Sequence, residues 1–141
     1  MDTRVAKLGS YLENILKILN SKYKKINADF LGLEVNNYSL DKIPTASTVE
    51  KWLTGTRVCR DVYSFRSRNS YSSNQLNNLK NIGFFEEFES VIKSNNENGI
   101  LPEIDNIESI ECLNQGTFNS ADASGKTAVF DIQLQIVYRE D

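Results

Sequence analysis

Four of the six arginines in this 141-residue chain stand in one short stretch, Arg57, Arg60, Arg66 and Arg68. A guanidinium group presents planar, bidentate donors that match carboxylates and phosphates, so this stretch suits binding rather than catalysis. Its partners could be acidic groups of the same chain or DNA phosphates contacted without sequence reading. A third possibility is a neighbouring subunit, whose candidate acidic residues are Glu86, Glu87 and Glu89.

Histidine is absent, and the only two cysteines are Cys59 and Cys112. The commonest general base and the usual partner of a serine or cysteine nucleophile are therefore missing. Two isolated thiols are also a poor metal ligand set. We expect no catalytic residue, no cofactor and no metal ion, and two reduced cysteines packed in or near strands. A small enzyme or regulatory domain is the alternative, which a pocket with two carboxylates of widely separated pKa values would favour.

The composition is that of one ordinary globular domain, with 40% hydrophobic and 25% charged residues. No stretch approaches the roughly 18 to 20 apolar residues that span a bilayer, and residues 1–4 lead directly into an amphipathic pattern without a signal-peptide core. We therefore expect a cytoplasmic protein. The net charge of −3 argues against sequence-independent nucleic-acid binding by the whole surface.

Residues 127–139 alternate between apolar and polar side chains, which predicts a strand with one buried face. The apolar side carries Phe130, Ile132, Leu134, Ile136 and Tyr138. A further strand is expected over 107–113, and the small, polar residues of 116–126 predict a loop or a hairpin end.

Two segments have helical periodicity. An apolar stripe from Val5 to Leu19 predicts a helix that packs on a sheet, with binding to a membrane surface as the alternative. A second stripe runs from Leu76 to Ile92, with residues 72–74 as candidate N-caps and Gly83 as a kink or a break into two helices. The polar run 94–99 predicts the end of that helix.

Residues 48–53 and 56–68 predict a β-hairpin that turns at Thr54 and Gly55. Both faces of its second strand carry apolar residues, which predicts a cover on each side. Trp52 is kept as an interface candidate, although large aromatic residues such as Trp52 and Tyr38 belong to the core more often. The whole order predicts an α+β fold, in which a mostly antiparallel sheet packs against an N-terminal and a central helix in a two-layer sandwich.

Several segments match a known pattern in order and spacing, namely residues 29–31, 37–40, 43–45, 49–53 with Gly55, 63–68 with Tyr71, 81–88, 101–102 and 128–138. In these segments the chain resembles phage and prophage minor capsid or tail-terminator-like proteins. The resemblance implies a structural subunit that forms a hexameric ring on the head-proximal end of a tail tube. Such a ring stops tube polymerisation and joins the tail to the head.

The implied partners are further copies of the chain, the tail tube protein, and neck, connector or sheath proteins. DNA would pass through the ring without specific recognition, no membrane is involved, and the protein would reside in the virion. Another head-to-tail joining or minor capsid role is the alternative of the same class. The hairpin of residues 49–65 is then the first candidate for contact between subunits, with Trp52, the four arginines and the three glutamates.

Overall fold

The computed structural model describes residues 3–19, 25–28, 31, 37–44, 48–70, 75–114, 116–121 and 127–140. Within these ranges the chain forms two helices and one seven-stranded sheet. Their bounds are α1 Arg4–Leu19, β1 Lys25–Ala28, β2 Asn37–Ile43, β3 Thr48–Lys51, β4 Arg57–Ser70, α2 Gln75–Glu97, β5 Ile107–Cys112, β6 Thr117–Ala121 and β7 Thr127–Glu140. The predicted α+β class is confirmed. The expected caps at 72–74 and the loop residues 122–126 lie outside the described residues.

The two longest strands, β4 and β7, form the centre of the sheet. Each has 14 residues, and they pair antiparallel over their whole length, from Arg57 opposite Glu140 to Ser70 opposite Thr127. The period-two alternation of β7 buries one face, as predicted. The predicted terminal strand is therefore confirmed.

The strand order is β1-β2-β4-β7-β5, with β3 added to β4 and β6 added to β7. Among the described strands, β1 and β2 pair in parallel and every other pair is antiparallel. β3 pairs with the first residues of β4, and β2 pairs with later ones. The sheet is thus mostly antiparallel, and the predicted hairpin between β3 and β4 is confirmed.

Both helices pack on the same face of the sheet. The stripe of α1 buries Leu8, Leu12, Ile15 and Leu16, so the prediction that this helix packs on a sheet is confirmed. Its first turn is capped by Thr3, whose hydroxyl accepts a hydrogen bond from the amide of Ala6 at 3.2 Å. Neither helix of the described residues is long and apolar enough to cross a bilayer.

The core between the two layers is aromatic. Tyr38 of β2 stacks on Phe65 of β4, which stacks in turn on Phe88 of α2, with 5.3 Å between ring centroids in each pair. All three side chains are buried, which confirms the core assignment of Tyr38. Such offset pairs stabilise a core beyond the area they bury, by about 0.5–1.5 kcal/mol each.

Helix α2 continues through Gly83 as one element, so the alternative of two short helices is wrong. It ends at Glu97, within the polar run 94–99 that predicted its end. Gly99 has a φ of 73°, the amide of Ile100 donates to the carbonyl of Asn95 at 2.8 Å, and the Gly99 amide donates to that of Asn96 at 3.4 Å. This is a Schellman motif, which requires the left-handed conformation that glycine adopts without strain.

Candidate assembly surfaces

The hairpin tip, defined here as Trp52–Gly55, connects β3 and β4 in a tight turn. The Trp52 amide donates to the Thr56 carbonyl at 2.8 Å, and the Gly55 amide donates to the Trp52 carbonyl at 3.0 Å. Gly55 has a φ of 94°, a conformation that side chains with a Cβ rarely adopt. The turn predicted at Thr54 and Gly55 is therefore confirmed, and its backbone is held by hydrogen bonds.

The tip exposes two apolar side chains. Leu53 is 109% exposed, and Trp52 is 39% exposed. The guanidinium of Arg139 lies 5.3 Å from the centroid of the Trp52 ring, which supports the ring from one side as a cation–π contact. The core assignment of Trp52 is wrong because this residue follows Lys51, the last paired residue of β3, and so lies in the turn.

The four clustered arginines do not form one patch, because alternate residues of β4 face opposite sides of the sheet. Arg60, Arg66 and Arg68 lie on the outer face, away from the helices, whereas Arg57 has the parity of the helix-packed residues. Arg57 Nη2 lies 2.6 Å from Oε1 of Glu140, the residue directly opposite it on β7. Arg57 is therefore separated from the other three arginines by the sheet.

The outer-face arginines also have partners within the chain. Arg66 Nε lies 2.6 Å from Asp41 Oδ2 on β2. Arg68 is buried, and both Arg60 and Arg68 interact with other groups of the chain. The alternative of intramolecular pairing is thus confirmed for Arg57 and Arg66.

The three candidate glutamates of α2 have different surroundings. Glu86 and Glu87 are exposed, and Glu89 is half-buried. Glu89 Oε1 accepts a hydrogen bond from the amide of Gly116 at 3.2 Å, so it holds the residue that precedes β6. Glu86 and Glu87 therefore remain the more accessible acidic candidates for a partner.

Asp61 was not among the predicted site residues; it is a carboxylate on the helix-packed face of β4 and is only 1% exposed. Its Oδ2 lies 2.7 Å from Arg4 Nε at the start of α1, and its Oδ1 lies 3.6 Å from Lys42 Nζ on β2. The hydroxyls of Tyr63 and Tyr138 donate to the same carboxylate at 3.3 and 3.2 Å. A buried carboxylate needs such partners because desolvation disfavours its charged form.

A signal for this cluster was present in the sequence. Asp61 has the same parity as Cys59, Tyr63 and Phe65, which the alternation predicts to share one face. An acidic residue between apolar ones on a buried face must find a cation or several donors. The identity of that cation was not readable, because Arg4 is distant in sequence.

The charges of the cluster are well defined. Burial by itself would raise the pKa of Asp61, but the hydrogen bond from Arg4 and the charges of Arg4 and Lys42 lower that pKa below its ordinary value. The hydrogen bond to Asp61 also raises the pKa of Arg4. Burial and the charge of Asp61 raise the pKa of Tyr138 to about 12 and raise that of Tyr63 as well. The carboxylate is thus ionised and both phenols are neutral at pH 7.

This arrangement joins helix and sheet. The guanidinium of Arg4 lies 4.5 Å from the centroid of the Tyr138 ring while it pairs with Asp61. The first turn of α1 is thereby attached to both central strands. The cluster lines an open cleft of about 580 Å³. A general acid in a cleft requires a raised carboxyl pKa, and the pKa of Asp61 is shifted in the opposite direction.

Both cysteines are free, with Cys59 buried in β4 and Cys112 half-buried at the end of β5. Burial, together with the charges of Glu89 and Glu111, raises the pKa of Cys112 to about 12, so its thiol is protonated at neutral pH. In the part of the chain that the structure describes, no three Cys, Asp or Glu side chains are grouped so that they could hold a metal ion.

Comparison with known proteins adds no further guide to these surfaces. A scan against protein-family models gives no match, and a search of curated proteins gives no match either.

Proposed function

We propose that this protein is a structural phage protein that forms a ring, of hexameric type, at the head-proximal end of the tail tube. The ring ends tube polymerisation and joins the tail to the head or neck, and the protein resides in the virion. The observation that carries the proposal is the hairpin tip. It presents the exposed side chains of Leu53 and Trp52 at the end of a hydrogen-bonded hairpin.

The position of the tip suits a contact between subunits. The tip is continuous with β4, which is paired along its whole length with β7, so the apolar side chains are held on a rigid support. A ring requires a heterologous contact, in which one patch of a subunit meets a different patch of the next subunit. An apolar projection supplies one half of such a contact. Glu86 and Glu87 are accessible acidic residues that suit the rim of the contact between subunits or the contact with the tail tube.

The buried polar groups favour this structural role over catalysis. Asp61 is buried at the base of the cleft and ionised, and four groups of the chain pair with its carboxylate, so its oxygens are already engaged in holding the fold together. DNA binding also has less support, because Arg57 and Arg66 already pair with carboxylates and Arg68 is buried. The exposed apolar side chains of the hairpin tip are instead suited to contacts with protein.

Size-exclusion chromatography with light scattering, followed by negative-stain imaging with tail tubes, tests the proposal. We expect rings of the purified chain, alone or on the ends of tubes. The Leu53→Asp variant is expected to lose them, since a carboxylate cannot be desolvated at an apolar contact without a partner. The matched control is Leu113→Asp, which changes another exposed leucine outside the hairpin. Wild-type chains that neither associate with each other nor bind tubes would contradict the proposal.

A further inference from the structure

The outer surface of the helix layer contains an apolar groove that no function described so far uses. It has a volume of about 290 Å³, and we name it the helix groove, lined by Tyr11, Ile15, Ile18, Val91, Asn95 and Ile100. Ile18 is 84% exposed and Ile100 is 55% exposed, so apolar side chains stand on two sides of the groove. None of these lining residues carries a formal charge, although a quarter of the chain is charged.

The helix groove is preformed. Tyr11 of α1 donates a hydrogen bond to the carbonyl of Ile100 at 2.8 Å and accepts one from Asn95 Nδ2 at 3.0 Å. The Schellman motif at Gly99 fixes the backbone that carries Ile100. Helix α1 and the C-terminal turn of α2 are therefore tied together around the groove, and little conformational entropy is lost when an occupant binds.

We propose that the helix groove receives the hairpin tip of a second copy of this chain. The inference rests on the proposed ring, and it assigns the surface that completes the contact between neighbouring subunits. Leu53 is the side chain that enters the groove, and Trp52 covers its edge.

Apolar character on both surfaces and the projecting shape of the tip point to this occupant. Residues 52–56 carry no formal charge, and neither does the lining of the groove. Charged residues are depleted at the centre of protein interfaces, and apolar and aromatic residues supply most of the binding energy there. The tip is convex and the groove concave, and the groove contains no residue of the hairpin. An apolar projection and a matching pocket elsewhere on the same molecule generate a head-to-tail contact, which is the type that a ring needs.

Cysteine cross-linking tests this pairing directly. We combine Leu53→Cys with Ile18→Cys in one chain and oxidise it under conditions in which the wild-type chain assembles. We expect a ladder of covalent oligomers that extends beyond dimers. The native thiols interfere little, since Cys59 is buried and Cys112 is protonated. The matched control combines Leu53→Cys with Leu113→Cys, which is exposed outside the groove and should give no ladder.

A mixing experiment establishes the direction of the contact. Chains with Leu53→Cys alone, mixed with chains with Ile18→Cys alone, can form the proposed cross-link only between unlike chains. Each such contact in a ring gives a covalent dimer and no longer ladder. In parallel, Ile18→Asp is expected to weaken association by about tenfold or more, as the loss of a buried apolar contact does.

The outcomes separate the two proposals. Rings that form without any disulfide between the two introduced thiols, and that tolerate Ile18→Asp, overturn the helix groove as the receptor and leave the ring intact. Chains that stay monomeric at high concentration and on tail tubes overturn the ring and the groove together. A ladder from the double variant, absent from the control that carries Leu113→Cys, supports both.

Discussion

Asp61 and Leu53 belong to the same hairpin, yet each has the surroundings expected for the other. The charged residue is 1% exposed, and the apolar residue is 109% exposed. Asp61 lies where α1 covers the sheet, and Arg4, Lys42 and two tyrosines compensate its burial. Leu53 lies in the turn beyond the last paired residue of β3.

The comparison shows that the position of a residue relative to the helix layer decides its burial. A buried charge is tolerated where partners of the chain neutralise it. A single exposed leucine is common on protein surfaces. It contributes most to binding free energy when a rigid projection holds it against a partner. At Asp61 the hairpin is thus paired with groups of its own chain, whereas the hairpin tip is exposed and available to a second chain.

The largest loss of stability is expected from Asp61→Ala, which removes the buried carboxylate that Arg4 and Lys42 neutralise. Arg4 and Lys42 lose their partner, and two tyrosine hydroxyls lose their acceptor. Because Arg4 is partly solvated, we expect the free energy of unfolding to fall by about 3 kcal/mol, at the lower end for a broken buried pair. Urea unfolding measures this change. The control is Asp105→Ala, an exposed carboxylate at the same cleft, and an equal loss in both variants would contradict the special role of Asp61.

A somewhat smaller loss of stability is expected from Gly116→Ala, which tests how tightly the protein is packed around Phe85. A Cβ at this position would lie 2.3 Å from the Phe85 ring, so the ring or the strand must move. We expect a loss of about 2 kcal/mol in unfolding free energy, which is typical of overpacking. The matched control is Gly9→Ala in α1, where nothing lies within 4 Å and helix propensity should raise stability. A neutral Gly116→Ala would show that Phe85 can relax freely.

The pH dependence of stability tests whether Asp61 is ionised in the folded protein. Its pKa in the folded protein is lowered, so the carboxylate stabilises the fold fully above the ordinary value of 3.8, and this contribution is lost as pH falls through the lower folded value. We compare the wild type with Asp61→Asn by urea unfolding between pH 7 and pH 2.5. The difference in unfolding free energy should be constant from pH 7 to 5 and shrink below about pH 4. A difference that grows on acidification would mean that the folded pKa is raised.

The smallest effect is expected from Leu53→Ser at the hairpin tip. Its side chain is exposed and is not among the core residues, so the unfolding free energy of the isolated chain should change by less than about 0.5 kcal/mol. Thermal unfolding at low protein concentration measures this. A loss above about 1 kcal/mol would show that Leu53 packs within its own chain, which would remove the basis of the proposed contact.

The elements themselves were largely predictable. The stripe from Val5 to Leu19 and the alternation of residues 127–139 are local patterns, and each is produced by the geometry of one element. The turn at Gly55 was readable because few residues adopt its left-handed backbone. The same geometry separates the clustered arginines, since Arg57 and Arg60 are close in sequence but lie on opposite faces of one strand.

Residue types and spacing alone determined that this chain forms an α+β sandwich with a long half-buried strand over 127–139 and a hairpin, because periodicity encodes which side of an element is apolar. Only the tertiary structure decided that Arg4 neutralises Asp61, that Leu53 projects into solvent, and that Tyr11 closes a groove with Ile100. These features depend on residues that are distant in sequence and meet only when helices and sheet pack. Packing of that kind leaves no local pattern in the chain.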